Sequence, residues 1–159
     1  MSSPVEVIEL KQSIIETYVR QSEQSSELEE KCKEDSLLIL PRKYEKQGYC
    51  FASHSVDFVK FCRSQNADVE ILSTDDFKVL DLHSFDIWMP IIYVAEQILL
   101  PLAISLVANF ISSKKKGREH EKARVNVDIV YKKGKKEVDI HYDGDADTFK
   151  EVMDKLELK

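Results

Sequence analysis

The sequence predicts an α+β protein: an N-terminal helix with a small mixed α/β lobe, a central apolar helical pair kinked or broken at Pro101, and a C-terminal β-hairpin plus helix. Three observations carry this expectation. Near the N-terminus, apolar residues recur at spacings of three, four and seven, the period of a helix. From Ile87 to Ile111 the chain holds one formal charge, Glu96, in an otherwise densely charged sequence. Beyond Lys122 the apolar residues alternate with period two on either side of a lysine-rich turn. The expected organisation is a lobe over residues 1–86, the apolar pair with a basic connector over 87–123, and a ββα unit over 124–159. That unit is too small to be stable alone, so it is expected to dock on the rest.

Taken in order, Ser3-Pro4-Val5-Glu6 reads as a capping box with proline in the first turn. The helix it opens would present Val7, Leu10, Ile14 and Tyr18, with Ile8, Ile15 and Val19 beside them. From Gln21 to Asp35 the chain turns polar and reads as a solvated helix or hinge, with Ser26 and Glu29 as a second capping box. The run Ser36–Pro41, ended by its proline, and Tyr49–Ala52 read as short strands. Ser55 is placed as the N-cap of a helix over Val56–Gln65, and Asn66 suits its C-terminal end. Val69–Leu72 and Phe77–Leu82 follow as strands. Val125, Val127, Ile129 and Tyr131 then share one face of a strand, Gly134 sits in the Lys132–Lys136 loop, and Val138, Ile140 and Tyr142 return. Asp143-Gly144 is read as a turn, and Asp147 or Thr148 as the cap of a helix carrying Phe149, Val152, Met153 and Leu156.

The apolar stretch is long enough to cross a bilayer. Against a span stand Glu96 and Gln97, the prolines Pro90 and Pro101, and a polar sector that changes sides at Pro101. Two short amphipathic helices explain the switch. They are expected to be covered by protein, with Trp88, Tyr93, Glu96, Leu99, Leu102, Leu106 and Phe110 as interface candidates. Glu96 is read as paired or at a helix boundary. The basic run Lys114, Lys115, Lys116 and Arg118 closes a helix C-terminus, with Gly117 ending it.

Net charge is −6, but residues 114–136 carry ten Lys and Arg against three acids. Together with Lys132, Lys133, Lys135 and Lys136, the run around residue 116 is a candidate basic patch, open to backbone-directed, salt-sensitive nucleic-acid binding. Cys32, Cys50 and Cys62 are odd in number and no signal peptide is read, since Glu6 and Glu9 stand where basic residues belong. A cytoplasmic location follows, with inner-membrane association as the alternative. Cys50, His54 and Cys62 lack paired zinc-ligand spacing. Asp68, Glu70, Asp75, Asp76 and Lys78 lack a nuclease pattern, and His54, Ser55 and Asp57 come without a nucleophile elbow. The four glycines are isolated, so no phosphate loop is formed. No catalytic residue, metal site or cofactor is assigned, and the protein is read as not an enzyme.

The order of parts over residues 87–159, with the hairpin ARVNVDIVYKKGKKEVDIHYDG and the closing segment DADTFKEVMDKL, resembles the effector-associated accessory modules of bacterial conflict systems. That resemblance implies an adaptor in anti-phage defence, working through a protein partner or self-association. A membrane-inserting effector or single-pass protein using the same stretch is the alternative reading.

Overall fold

The computed structural model describes residues 4–21, 37–44, 48–72, 78–80 and 86–156. It is a mixed α/β fold. Its strands are β1 (Val5–Leu10), β2 (Leu37–Leu40), β3 (Arg42–Tyr44), β4 (Gly48–Cys50), β5 (Val69–Ile71), β6 (Ile87–Val94), β7 (Arg124–Lys133) and β8 (Lys136–Asp145). The helices are α1 (Ile14–Gln21), α2 (Ser55–Ser64), α3 (Leu100–Lys115) and α4 (Phe149–Asp154). Six strands form one sheet in the order β1-β8-β7-β6-β2-β5, and β3 and β4 form a separate hairpin. Segments from residues 1–86, 87–123 and 124–159 all contribute strands to the large sheet.

The central apolar stretch is not a helical pair. Its first half is β6, buried along nearly its whole length between β2 (antiparallel) and β7 (parallel). Ile87, Ile91, Ile92, Tyr93 and Val94 are β-branched or aromatic, which favours a strand. A strand covered on both faces shows no polar alternation, so periodicity alone does not separate it from a buried helix. Pro90 is accommodated where the β6/β7 register shifts between Trp88 and Ile91. One 3-10 turn, Gln97–Leu99, then leads into α3, which carries Pro101 in its first turn, where the missing N–H costs nothing.

The N-terminal helix is likewise split. Val5–Leu10 is a strand paired antiparallel with β8, from Val5 beside Tyr142 to Leu10 beside Glu137. The helical spacing of Val7, Leu10, Ile14 and Tyr18 runs across this break, and only α1 keeps it. The N-terminus of α1 is held by a distant residue: buried Glu137 accepts hydrogen bonds from the Ile14 N–H (2.7 Å), the Ser13 hydroxyl (2.7 Å) and the Tyr93 hydroxyl (2.8 Å). A carboxylate suits this position because it meets unpaired helix N–H groups and the positive end of the helix dipole.

One face of the sheet carries the larger core, in which Phe58 and Phe61 of α2 meet Phe110 of α3 edge-on at 5.3 and 5.6 Å. Phe149 and Met153 of α4 close that core against Tyr142. The opposite face carries a smaller core of Leu38, Leu40, Ile91, Tyr93 and Val130 under Tyr18 and Val19 of α1.

Two local expectations are corrected. Ser55 is the first residue of α2 and not its cap: it is buried, its N–H bonds the Ala52 carbonyl, and His54 holds the cap position. Gly144 lies inside β8 and not in a turn, with Pro4 directly over it; a Cβ there would stand 2.6 Å from the Pro4 Cβ. Thr148 does hold the N-cap position of α4, without a side-chain capping bond, while Asp145 caps the 3-10 turn Ala146–Thr148 before it, accepting from the Asp147 N–H at 2.9 Å. Asn66 does take a left-handed conformation (φ 62°) after α2, and Gly134 does so in the hairpin turn (φ 64°). The polar Gln21–Asp35 reading beyond Gln21, Cys32, and Asp75 and Asp76 lie outside the described residues. Of Phe77–Leu82, residues 78–80 are described, and Val79 bridges Phe51 in parallel.

Candidate interaction surface

The interface candidates separate into two groups. Leu106 and Phe110 face inward on α3, and Tyr93 is buried beside Glu137, so all three belong to the molecule's own core. Trp88 and Leu99 are half-buried. Glu96 is exposed at the boundary between β6 and the 3-10 turn, and Leu102 is exposed on the outer side of α3. The apolar stretch is therefore largely wrapped by its own flanks. The surface left over from it is a corner formed by Ile98, 81% exposed, and Leu102, 43% exposed. The helical segment Gln97–Lys115, 19 residues with 39% of its apolar window buried, is long and apolar enough to cross a membrane by length and composition.

The basic candidates also divide. Lys114 pairs with Asp57 at 3.0 Å, and Lys115 is buried, bonding the Glu121 carbonyl and lying 3.9 Å from Asp147. These close α3 against its neighbours. Lys116 and Arg118 are exposed beyond the helix end. In the hairpin, Lys136 pairs with Glu9 at 2.9 Å, while exposed Lys132, Lys133 and Lys135 have no ion-pair partner among the described residues. A cavity of about 600 Å³ opens at this end of the sheet, lined by Lys11, Lys132, Lys135 and Lys136 together with Tyr93 and the already engaged Glu137.

A second exposed feature is the outer edge of β1. The Asp143 N–H donates to the Pro4 carbonyl, so Pro4/Asp143 is a hydrogen-bonded pair of the antiparallel ladder. Alternation then directs the backbone groups of Glu6, Ile8 and Leu10 toward β8, and those of Val7 and Glu9 toward the open edge. Val7 and Ile8 are 47% and 48% exposed, on opposite faces. No strand covers this edge among the described residues.

The sequence reading missed a polar cluster on the α1 side of the sheet. Asp128 of β7 is buried between Arg42 of β3, which pairs with one carboxylate oxygen, and His141 of β8, whose Nδ1 lies 2.5 Å from the other. Arg42 also reaches the Met89 carbonyl at 3.5 Å. Asp139, diagonal to Asp128 across the hairpin, has a buried Oδ1 with no hydrogen-bond partner among the described residues. Burial pushes the Asp139 carboxyl up to about 7, and the charge of Asp128 and a shared hydrogen bond with it add to the effect, against the opposing pull of His141 and Arg42. The Asp139 carboxyl therefore keeps its proton up to near-neutral pH. The signal was present in the sequence: Asn126 and Asp128, then Asp139, His141 and Asp143, occupy the polar positions of the same alternation that marks the core side.

The zinc and triad residues of the sequence do not assemble. Cys50 and Cys62 are buried and form no disulfide, with burial pushing the Cys62 thiol up to about 12. His54 accepts from the Trp88 N–H at 3.0 Å, and burial followed by the charge of Lys114 holds its pKa below the ordinary value. Among the described residues no group of three His, Cys, Asp or Glu side chains is arranged to hold a metal ion.

Fold and surface together define a mixed-sheet α/β protein in which the outer edge of β1 is uncovered among the described residues and one sheet end is basic and partly apolar. No protein-family model, curated protein or solved structure matches the chain.

Proposed function

We propose that the protein is a non-enzymatic interaction protein, an adaptor of a bacterial defence-type system working in the cytoplasm, and that it self-associates through β1. The observation that carries this reading is the open edge at Val7 and Glu9. A strand edge with outward N–H and C=O groups is a template for another strand. Val5–Leu10 contains no proline or lysine to blunt it, and only Glu6 and Glu9 oppose pairing. An antiparallel contact centred on Val7 sets Val7 against Val7, Val5 against Glu9 and Glu6 against Ile8, so no acid faces an acid. The exposed Val7 and Ile8 are then covered. This edge takes the place of the central stretch, whose apolar side chains are mostly spent on the chain's own core.

Light scattering on the purified chain tests the proposal. A dimer mass is expected, and Val7→Pro should return a monomer, because it removes an outward N–H while leaving the β1–β8 bonds intact. A chain that stays monomeric across the accessible concentration range, or a dimer indifferent to Val7→Pro, overturns it.

A further inference from the structure

The end of the sheet at the β7–β8 turn brings two exposed features together. Val94 at the end of β6 lies beside Tyr131 of β7, so the chain leaves β6 next to Lys132 and Lys133. The Gln97–Leu99 turn packs on β7 there. Ile98 is thus held out into solvent at 81% exposure at the same end of the sheet as the lysine-rich turn, on the α3 side, while the lysine-lined cavity opens on the α1 side. Leu102, four residues on, continues the same side of the chain. Lys132, Lys133 and Lys135 have no anionic partner among the described residues, and Lys11 joins Lys132 and Lys135 around the 600 Å³ cavity. The acids nearby are accounted for: Glu9 pairs with Lys136, Glu16 with Arg20 at 3.5 Å, and Glu137 holds α1, leaving Glu96 as the exposed counter-charge.

We propose that this end docks on an anionic lipid surface, Ile98 and Leu102 entering the boundary between headgroups and acyl chains while Lys132, Lys133 and Lys135 meet the lipid phosphates. Apolar prongs flanked by cations are what such a boundary accommodates: the prongs leave water and the cations remain at the charged layer. The same lysines could neutralise a nucleic-acid backbone, but a nucleic acid offers no apolar layer for Ile98, and the rings next to the hairpin lysines, Tyr93 and Tyr131, are buried and present no face to stack a base. The docking is peripheral, since the inward side of α3 remains committed to Phe58 and Phe61.

Sedimentation of the full chain with vesicles tests this. Binding is expected to vesicles mixing phosphatidylcholine with phosphatidylglycerol, not to phosphatidylcholine alone, and to weaken as salt is raised. Ile98→Ser should weaken binding about tenfold, and Lys132→Glu with Lys133→Glu and Lys135→Glu by roughly a hundredfold or more. All four positions are exposed, so far-UV circular dichroism should be unchanged. Val7→Pro should bind as the parent does, which separates this surface from the β1 edge. Absence of sedimentation with the acidic vesicles overturns the proposal. So does binding indifferent to Ile98→Ser, or tighter binding of a single-stranded oligonucleotide than of vesicles.

Discussion

Replacing Asp139 by Asn should remove a pH-dependent weakness of the folded state. With its carboxyl raised from 3.8 to about 7 by burial and by Asp128, the folded protein keeps a proton that the unfolded chain has already lost. Stability therefore falls as pH rises from about 4 toward 7, and the full penalty is present above that. A rise of roughly three pH units corresponds to about 4 kcal/mol as an upper bound. The partial solvent contact of the residue brings the usable figure to about 2 kcal/mol. The substituted amide would keep a donor for Asp128 without ionising. Unfolding free energies from urea titrations of parent and Asp139→Asn should converge near pH 4 and separate by about 2 kcal/mol at pH 8, with the variant the more stable. Because Arg42, His141 and Asp128 are common to both proteins, the difference between the curves isolates the effect of this one side chain. Parallel curves from pH 4 to 8 would refute the assignment of a retained proton to Asp139.

Glu137→Ala leaves three donors, the Ile14 N–H and the Ser13 and Tyr93 hydroxyls, without their acceptor. A loss of about 3 kcal/mol is expected, against about 1 kcal/mol for Tyr93→Phe; thermal melts of both decide whether Glu137 anchors α1. Gly144→Ala places a Cβ 2.6 Å from Pro4 and 3.2 Å from the Tyr142 ring. It should cost about 1 to 3 kcal/mol and speed amide exchange selectively along Val5–Leu10; unchanged exchange there would show that Pro4 yields without loosening β1.

How far the sequence led depended on what covers each element. The alternation of Val125, Val127, Ile129 and Tyr131 was legible because one side of β7 meets the larger core and the other carries polar groups. Ile87–Val94 offered no such contrast, being covered by α2 and α3 on one side and by the α1 core on the other. The N-terminal misreading had another source: Val7 and Ile8 fit a helical spacing with Ile14 and Ile15, and only pairing with β8, more than a hundred residues away, selects the strand. Arg42 and Asp128 are equally remote, 86 positions apart, so their pairing left no local mark. The exposed position of Ile98 was equally hidden, because a single isoleucine in an oily run carries no sign of which side of a corner it occupies.

The seam between β1 and β8 sets an order of assembly. Val5 and its neighbours leave the ribosome long before Tyr142 and Ile140 exist to receive them, so this strand must wait while β6, α3 and β7 establish themselves. Throughout that interval VEVIEL is an orphan segment of high strand propensity. Any chain broken off ahead of Lys136 would keep it orphaned permanently, turning the last-closed seam of the intact molecule into the sticky end of a fragment.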